Sequence, residues 1–194
     1  MTPYIILVAG IPASGKTTYA RHISEKLRIP LICKDAIKEN LYDVLHWDTS
    51  TRDNSQRYGI ASYKVFFHII ESLMQANVSL VAESNFTTES AEILLPMIEK
   101  YAFRALTVMM DADLDVLSIR FKDREKTSER HPGLKMPATF KFNGFNSEGI
   151  ARFKDFNVGD RIVVDTTDFT VFDCAKIDND IANFISGKMV REVV

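Results

Sequence analysis

Apolar and polar positions along this chain fall into blocks whose period switches between that of strands and that of helices. Tyr4 to Ala9 is apolar on both faces, the pattern of a central parallel strand covered by helices. From Lys16 to Leu27, Ala20, Ile23 and Leu27 share one helical face. Arg28-Ile29-Pro30 breaks that pattern, and Leu31 to Lys34 predicts a short second strand ending at Asp35. A helix over about Ala36 to Leu45 should bury Ile37, Leu41, Val44 and Leu45. His46 to Gln56 is polar and aperiodic, which predicts a long loop.

A helix then fits Arg57 to Ala76, with Ile60, Tyr63, Phe67, Ile70, Leu73 and Met74 at helical spacing and facing the core. Val78 to Glu83 is another buried strand, and Thr88 to Tyr101 a helix in which Pro96 predicts a kink or an early stop. Phe103 to Met110 is the fourth strand. Asp111-Ala112-Asp113 reads as a turn and N-cap for a helix from Leu114 to about Glu125. Lys126 to Asp160 holds four glycines, two prolines and five phenylalanines with weak periodicity. It predicts a mobile lid, covering roughly residues 120–160, with a short helix near Glu148 to Phe156 whose phenylalanines pack a core. Arg161 to Asp165 forms a fifth strand, and Val171 to Ile185 a closing helix.

Strands that alternate with helices pair in parallel through right-handed crossovers. The expected fold is therefore α/β, a three-layer, doubly wound, mainly parallel five-stranded sheet with helices on both faces. No repeat or linker divides the chain, so residues 1–194 are expected to form one domain. Ligands of such sheets sit beyond the carboxyl ends of the strands. Here those ends carry Gly10 to Thr17, Asp35, Glu83, Asp111 and Asp165.

The first of these is the strongest signal. Gly10-Ile11-Pro12-Ala13-Ser14-Gly15-Lys16-Thr17 has the spacing of a phosphate-binding loop and is followed by Thr18 at the start of a helix. Glycines let consecutive N–H groups turn inward, Lys16 reaches terminal phosphates, and the Thr17 hydroxyl suits Mg2+. The helix behind the loop directs its positive end at the same anion. The chain is thus expected to bind ATP with Mg2+.

Bulk properties narrow the partners. The chain is 46% hydrophobic and 26% charged with a net charge of -2, so no global basic field points to nucleic acid. Cys33 and Cys174 show no metal-binding spacing with histidine and are expected to be reduced thiols. The chain enters a strand directly and has no apolar run of membrane-spanning length, so a soluble, cytoplasmic protein is expected.

Three further sites carry chemistry. Asp35 follows the second strand, where a carboxylate can orient an acceptor hydroxyl and take its proton, or can simply cap the next helix. Glu83 ends a buried strand and is a candidate for the hydration shell of Mg2+, the alternative being a solvated loop carboxylate; Ser84, Asn85 and Phe86 could face the acceptor. Arg120 and Arg124 share a helical face, with Arg130 beyond. They could neutralise charge on a transferred phosphoryl group, or form ordinary surface pairs with their acidic neighbours.

In order along the chain, GIPASGKTT, ICKDAIKENL, VAESNFTTES, the arginine-bearing helix leading to RHPG, and IVVDTTDF resemble the small P-loop kinase-like family. That group includes polynucleotide 5'-kinase domains, chloramphenicol phosphotransferase and zeta-toxin-like kinases. The resemblance implies ATP and Mg2+, Lys16 and Thr17 in the phosphate loop, and Asp35 as acceptor-side base. It also implies a lid arginine at Arg120, Arg124 or Arg130, and Asp165-Thr166-Thr167 near the adenine.

The leading expectation is an ATP-dependent kinase acting on a hydroxyl of a small molecule. A polynucleotide 5'-hydroxyl kinase would need a groove to which Trp47, Arg52, Arg57 and Tyr58 could contribute. A nucleotide-dependent switch is the remaining alternative, although the guanine-reading Asn-Lys-x-Asp pattern is absent.

Overall fold

The apolar run at the start of the chain becomes the central strand of the sheet. A computed structural model of the protein describes residues 2–45, 52–128, 130–136 and 141–188. Five strands, β1 (Tyr4–Gly10), β2 (Leu31–Cys33), β3 (Leu80–Glu83), β4 (Arg104–Asp111) and β5 (Asp160–Asp165), form one all-parallel sheet in the order β2-β3-β1-β4-β5. This is the expected doubly wound topology, with the order reversing beside β1.

Burial on both faces of β1 follows from the helices on each side. Ile5, Leu7 and Ala9 pack with Phe66, Phe67, Ile70 and Met74 of α3 (Arg52–Gln75) and Leu94 of α4 (Thr88–Lys100). On the other face, Ile6 and Val8 meet Tyr19, Ala20 and Ile23 of α1 (Lys16–Leu27), and Ile177, Ile181 and Phe184 of α7 (Cys174–Ile185). Each such aliphatic side chain removed from water stabilises the fold by roughly 1.5–3 kcal/mol. At the carboxyl end of β1, Ile11 joins Leu117 of α5 (Leu114–Lys126) and Ile150 of α6 (Ser147–Lys154) in a third, smaller cluster.

Several elements depart from the sequence pattern. α3 begins at Arg52, so Arg52 to Gln56 are a polar first turn of that helix and not loop. α4 continues through Pro96 to Lys100 without an early stop, held by Leu94, Met97 and Ile98 against the core. α7 starts at Cys174, leaving Val171 exposed. The buried face of α2 (Lys34–Val44) is formed by Lys38 and Tyr42, whereas Val44 and Leu45 are exposed. Ile60 of α3 is exposed as well. Helical periodicity counts apolar residues but does not register that a lysine stem and a tyrosine can serve as packing surface.

The aromatic segment after α5 does pack as expected. Phe142 and Phe145 cluster on Phe121, and the Phe156 ring stacks on Phe86 with centroids 4.9 Å apart. Phe140 lies outside the described residues.

A polar pin fastens α1 to α7. Asp178, buried, accepts hydrogen bonds from the Tyr19 hydroxyl (3.0 Å) and the Lys26 ammonium (2.7 Å), with His22 Nε2 at 2.8 Å. Burial raises the Asp178 carboxyl, but hydrogen bonds from Lys26, His22 and Tyr19 outweigh it and hold the group below its ordinary range. Such a depressed carboxyl contributes stability above its ordinary range and loses it as pH falls through the lowered value. Asp178→Asn is expected to cost about 1–3 kcal/mol at neutral pH. Chemical denaturation across pH should show this deficit shrinking toward strong acid; a deficit constant with pH would contradict the pin.

Candidate active site

The turn from β1 into α1 requires two glycines. A Cβ on Gly10, at φ 135°, would fall 2.1 Å from the carbonyl oxygen of Met110. Gly15, at φ 88°, caps α1 without a side-chain bond, and no acidic residue occupies the first turn of the helix. The N-terminal N–H groups of α1 are therefore left for an anion. Ile11 and Ser14 are buried within the loop, and the Ser14 Oγ has no hydrogen-bond partner among the described residues. Lys16, 6% exposed, donates from Nζ to the Ile11 carbonyl at 2.8 Å, closing the loop with one of its three protons. Burial pulls the Lys16 ammonium below its ordinary range, and Glu83 and Asp35 partly offset this.

Across from the loop, the register of the sheet sets Glu83 level with Val8 of β1 and Cys33 of β2. Glu83 is 4% exposed, so it is not the solvated loop carboxylate that the sequence left open. Its Oε2 accepts from Thr17 Oγ1 at 3.2 Å and from Cys33 Sγ at 2.9 Å. Burial and Glu83 push the Cys33 thiol up to about 12, which makes it an inert donor at neutral pH. The paired oxygens of Thr17 and Glu83 suit a hard cation such as Mg2+. The only other candidate cluster among the described residues, His22-Cys174-Asp178, has the Lys26 ammonium on the carboxylate and is structural.

Asp35 lies in the first turn of α2, whose N-cap is Cys33, so it is not the cap residue. Its Oδ1 takes Lys34 Nζ at 2.8 Å. Burial raises the carboxyl, yet Lys34, Lys16 and Arg130 more than offset this and leave it ionised below the ordinary range. Asp35 lines a cleft of about 260 Å³ together with Thr17, Arg124 and Arg130. Arg124 keeps a buried Nε without a partner among the described residues, while Arg130 pairs with Glu125 at 2.5 Å and donates to the Leu134 carbonyl.

Other predicted residues lie elsewhere. Arg120 points to the loop after β5: it donates to the carbonyls of Thr166 (2.7 Å) and Thr167 (2.9 Å) and covers the Phe169 ring at 3.9 Å. Asp165 accepts from the Thr167 N–H, and the Thr167 hydroxyl accepts from Asp113 N–H, so that loop is tied to the end of β4. Asp111 is occupied by Lys154 at 2.6 Å. Ile11, Pro12, Ala13 and Thr18 stand in the loop and the first turn of α1. Of the residues considered for nucleic acid, Trp47 and the Arg52 side chain lie outside what is described, Arg57 is exposed, and Tyr58 packs edge-on against Tyr42. A larger cavity of about 650 Å³ lies between β5 and α7; Asp165 is among its lining residues, and none of Gly10 to Thr18 is.

Against known proteins, residues 5–138 match the family described as an AAA domain. The chain belongs to this AAA domain family. Its fold and motifs are those of a small P-loop kinase-like protein. A crystal structure of a "putative kinase" from Chloroflexus aurantiacus is similar over 97% of this chain and 98% of its own, with 26% identity and a TM-score of 0.77. A sugar kinase from Janibacter sp. shares the fold at 14% identity (TM-score 0.58, 95% of each chain). So does the Mycobacterium tuberculosis APS kinase in complex with AMPPNP and APS, at 10% identity (TM-score 0.58, 95% and 98%). No curated protein matches the sequence.

The AAA domain also holds residues that motif spacing did not single out. Lys34 reaches Asp35 and lies 5.1 Å from the centre of the Tyr63 ring, whose hydroxyl meets Ser84 Oγ (3.1 Å) and the Asn85 carbonyl. Only the i, i+4 spacing of Lys34 and Lys38 could have hinted at them. Arg120→Ala is expected to loosen the loop at Thr166 to Phe169 and cost about 1–2 kcal/mol. Hydrogen exchange in that loop should rise selectively; unchanged protection would show that Arg120 is not its brace.

Proposed function

We propose that this AAA domain protein is an ATP-dependent phosphotransferase that moves the γ-phosphoryl group to a hydroxyl of a small molecule, with residues 1–194 acting as one domain and about 120–160 as its lid. The observation that carries the reading is that one cleft brings Asp35, Thr17 and Arg124 together beside the phosphate loop. The likeness to a kinase structure over nearly the whole of both chains supports it; no described helix is long and apolar enough to cross a membrane. Both cysteines are free thiols, in keeping with the cytoplasm, where ATP is supplied.

In this reading the loop N–H groups and Lys16 hold the phosphates, and Gly10 to Thr18 with Asp165 and Thr167 frame the nucleotide. Thr17 and Glu83 would hold Mg2+, which supplies charge neutralisation on the phosphates. Asp35 uses its free Oδ2 to orient the acceptor hydroxyl. As the bond from the γ-phosphorus to its bridging oxygen breaks and the bond to the acceptor forms, the hydroxyl proton passes to Asp35 and then to water. An ionised carboxylate of low basicity suits a loose transition state, in which proton removal comes late. Arg124 offers its unpaired Nε to the transferred group, and Arg120 acts by holding the loop after β5.

The test is ADP formation from ATP and Mg2+, alone and with hydroxylated acceptors. An acceptor is expected to raise the rate by orders of magnitude. Asp35→Asn is expected to lower acceptor-dependent turnover by about 10²–10⁴-fold while leaving binding of an ATP analogue nearly unchanged. Full turnover by Asp35→Asn would sink the assignment.

A further inference from the structure

We infer that β5 is a docking edge for a second copy of this chain, the two sheets joining by antiparallel pairing of β5 with β5 and Val163 lying on the two-fold axis.

β5 ends the sheet, and among the described residues β4 is its only neighbouring strand. Such an edge offers a row of N–H and C=O groups to another strand. The register shows which residues offer them. The Thr166 N–H donates to the Asp111 carbonyl (2.8 Å), and Asp111 stands level with Asp165. In a parallel ladder this turns the backbone of Ile162, Val164 and Thr166 toward β4, and that of Arg161, Val163 and Asp165 outward. Beside those outward groups runs the groove of about 650 Å³, whose far wall is Lys176, Ile177 and Asp180 of α7. Its apolar lining is open to solvent, with Val163 44% exposed and Val171 76%. A strand edge flanked by a helix is a shape that takes an extended segment. Asp35 follows β2, at the opposite edge of the sheet, and none of the residues lining its cleft lines this groove.

The charges of the strand make the occupant the same strand. Outward groups fall on the odd-numbered residues, so a hydrogen-bonded pair of copies joins odd to odd. The centred register sets Val163 opposite the partner's Val163, and Arg161 opposite the partner's Asp165. Ile162 and Val164 are buried toward α7, so Arg161, Val163 and Asp165 stand together on the other face. Residues directly opposite in such a pair have Cα atoms about 5.5 Å apart and side chains on one face. Two-fold symmetry then gives one arginine–aspartate pair on each side of a valine–valine contact, a self-complementary patch. Both charges are available for it. Arg161 donates to the Lys154 carbonyl (2.9 Å) and keeps Nε without a partner, Asp165 accepts from the Thr167 N–H, and neither enters an ion pair among the described residues. A slip of two residues in either direction breaks both ion pairs. An unrelated extended peptide could use the backbone edge, but nothing would match its charges to this order.

The experiment is sedimentation equilibrium of the full chain over a range of concentrations, with hydrogen exchange read along β5. The chain is expected to form a reversible dimer, and the amides of Arg161, Val163 and Asp165 to gain protection as concentration rises. Val163→Lys sets two like charges opposite each other on the axis and is expected to weaken association about tenfold. Arg161→Asp and Asp165→Arg each set like charges opposite on both sides of the axis, and each is expected to weaken it by a similar factor. The double variant Arg161→Asp with Asp165→Arg restores opposite signs and is expected to recover most of the affinity. Damage to the strand itself would add up in the double variant, so the recovery separates docking from folding. A chain that stays monomeric at every concentration, whether or not those amides are protected by some other segment, would overturn the inference. So would a dimer that Val163→Lys leaves unweakened, or a double variant no tighter than its parents.

Discussion

A carboxylate withdrawn from water at the end of β3 constrains everything around it. Burying Glu83 costs several kcal/mol unless donors meet it. Here Thr17 and Cys33 meet the same oxygen, one from the phosphate loop and one from β2. The bond from Thr17 fixes the first turn of α1 against the sheet, and the bond from Cys33 fixes the start of α2 and hence Asp35. Both depend on parallel register, because a slip of one residue would turn Glu83 to the opposite face.

From that point the cations divide into separate tasks. Lys16 and Arg124 are close enough to Asp35 and Glu83 to influence one another electrostatically. Arg120, one helical turn before Arg124, is spent on two carbonyls and an aromatic ring of the loop after β5. Phe169 in turn lies 3.1 Å from where a side chain on Gly15 would begin, so the phosphate loop and the loop after β5 are packed against each other. The same helix thereby sends one arginine to the loop after β5 and the other to the cleft that holds Asp35.

Much of this was legible in the sequence. The alternation of apolar blocks and the loop Gly10 to Thr17 gave the sheet topology and the phosphate site, because both are local patterns with strict spacing. Glu83 was nominated because it ends a strand, and Asp35 because it follows one, in a fold whose ligands sit at those ends. What escaped depends on contacts between distant segments. Equal spacing on α5 cannot tell Arg120 from Arg124, since the difference lies in whether Thr166 and Thr167 stand opposite. The helical wheel of α2 favoured Val44 and Leu45, while packing against α3 selected Lys38 and Tyr42. The role of Asp35 as a cap was plausible until the helix began one residue before it, at Lys34.

The central claim is that the phosphate loop, Thr17, Glu83 and Asp35 form one phosphoryl-transfer centre. A crystal structure with AMPPNP and Mg2+ tests it most directly. The account predicts terminal phosphate oxygens within hydrogen-bond distance of Lys16 Nζ, the metal on Thr17 Oγ1 with Glu83 close by, and the γ-phosphoryl group facing Asp35. Nucleotide bound elsewhere, or a γ-phosphoryl group turned away from Asp35 with no metal at Thr17, would contradict it.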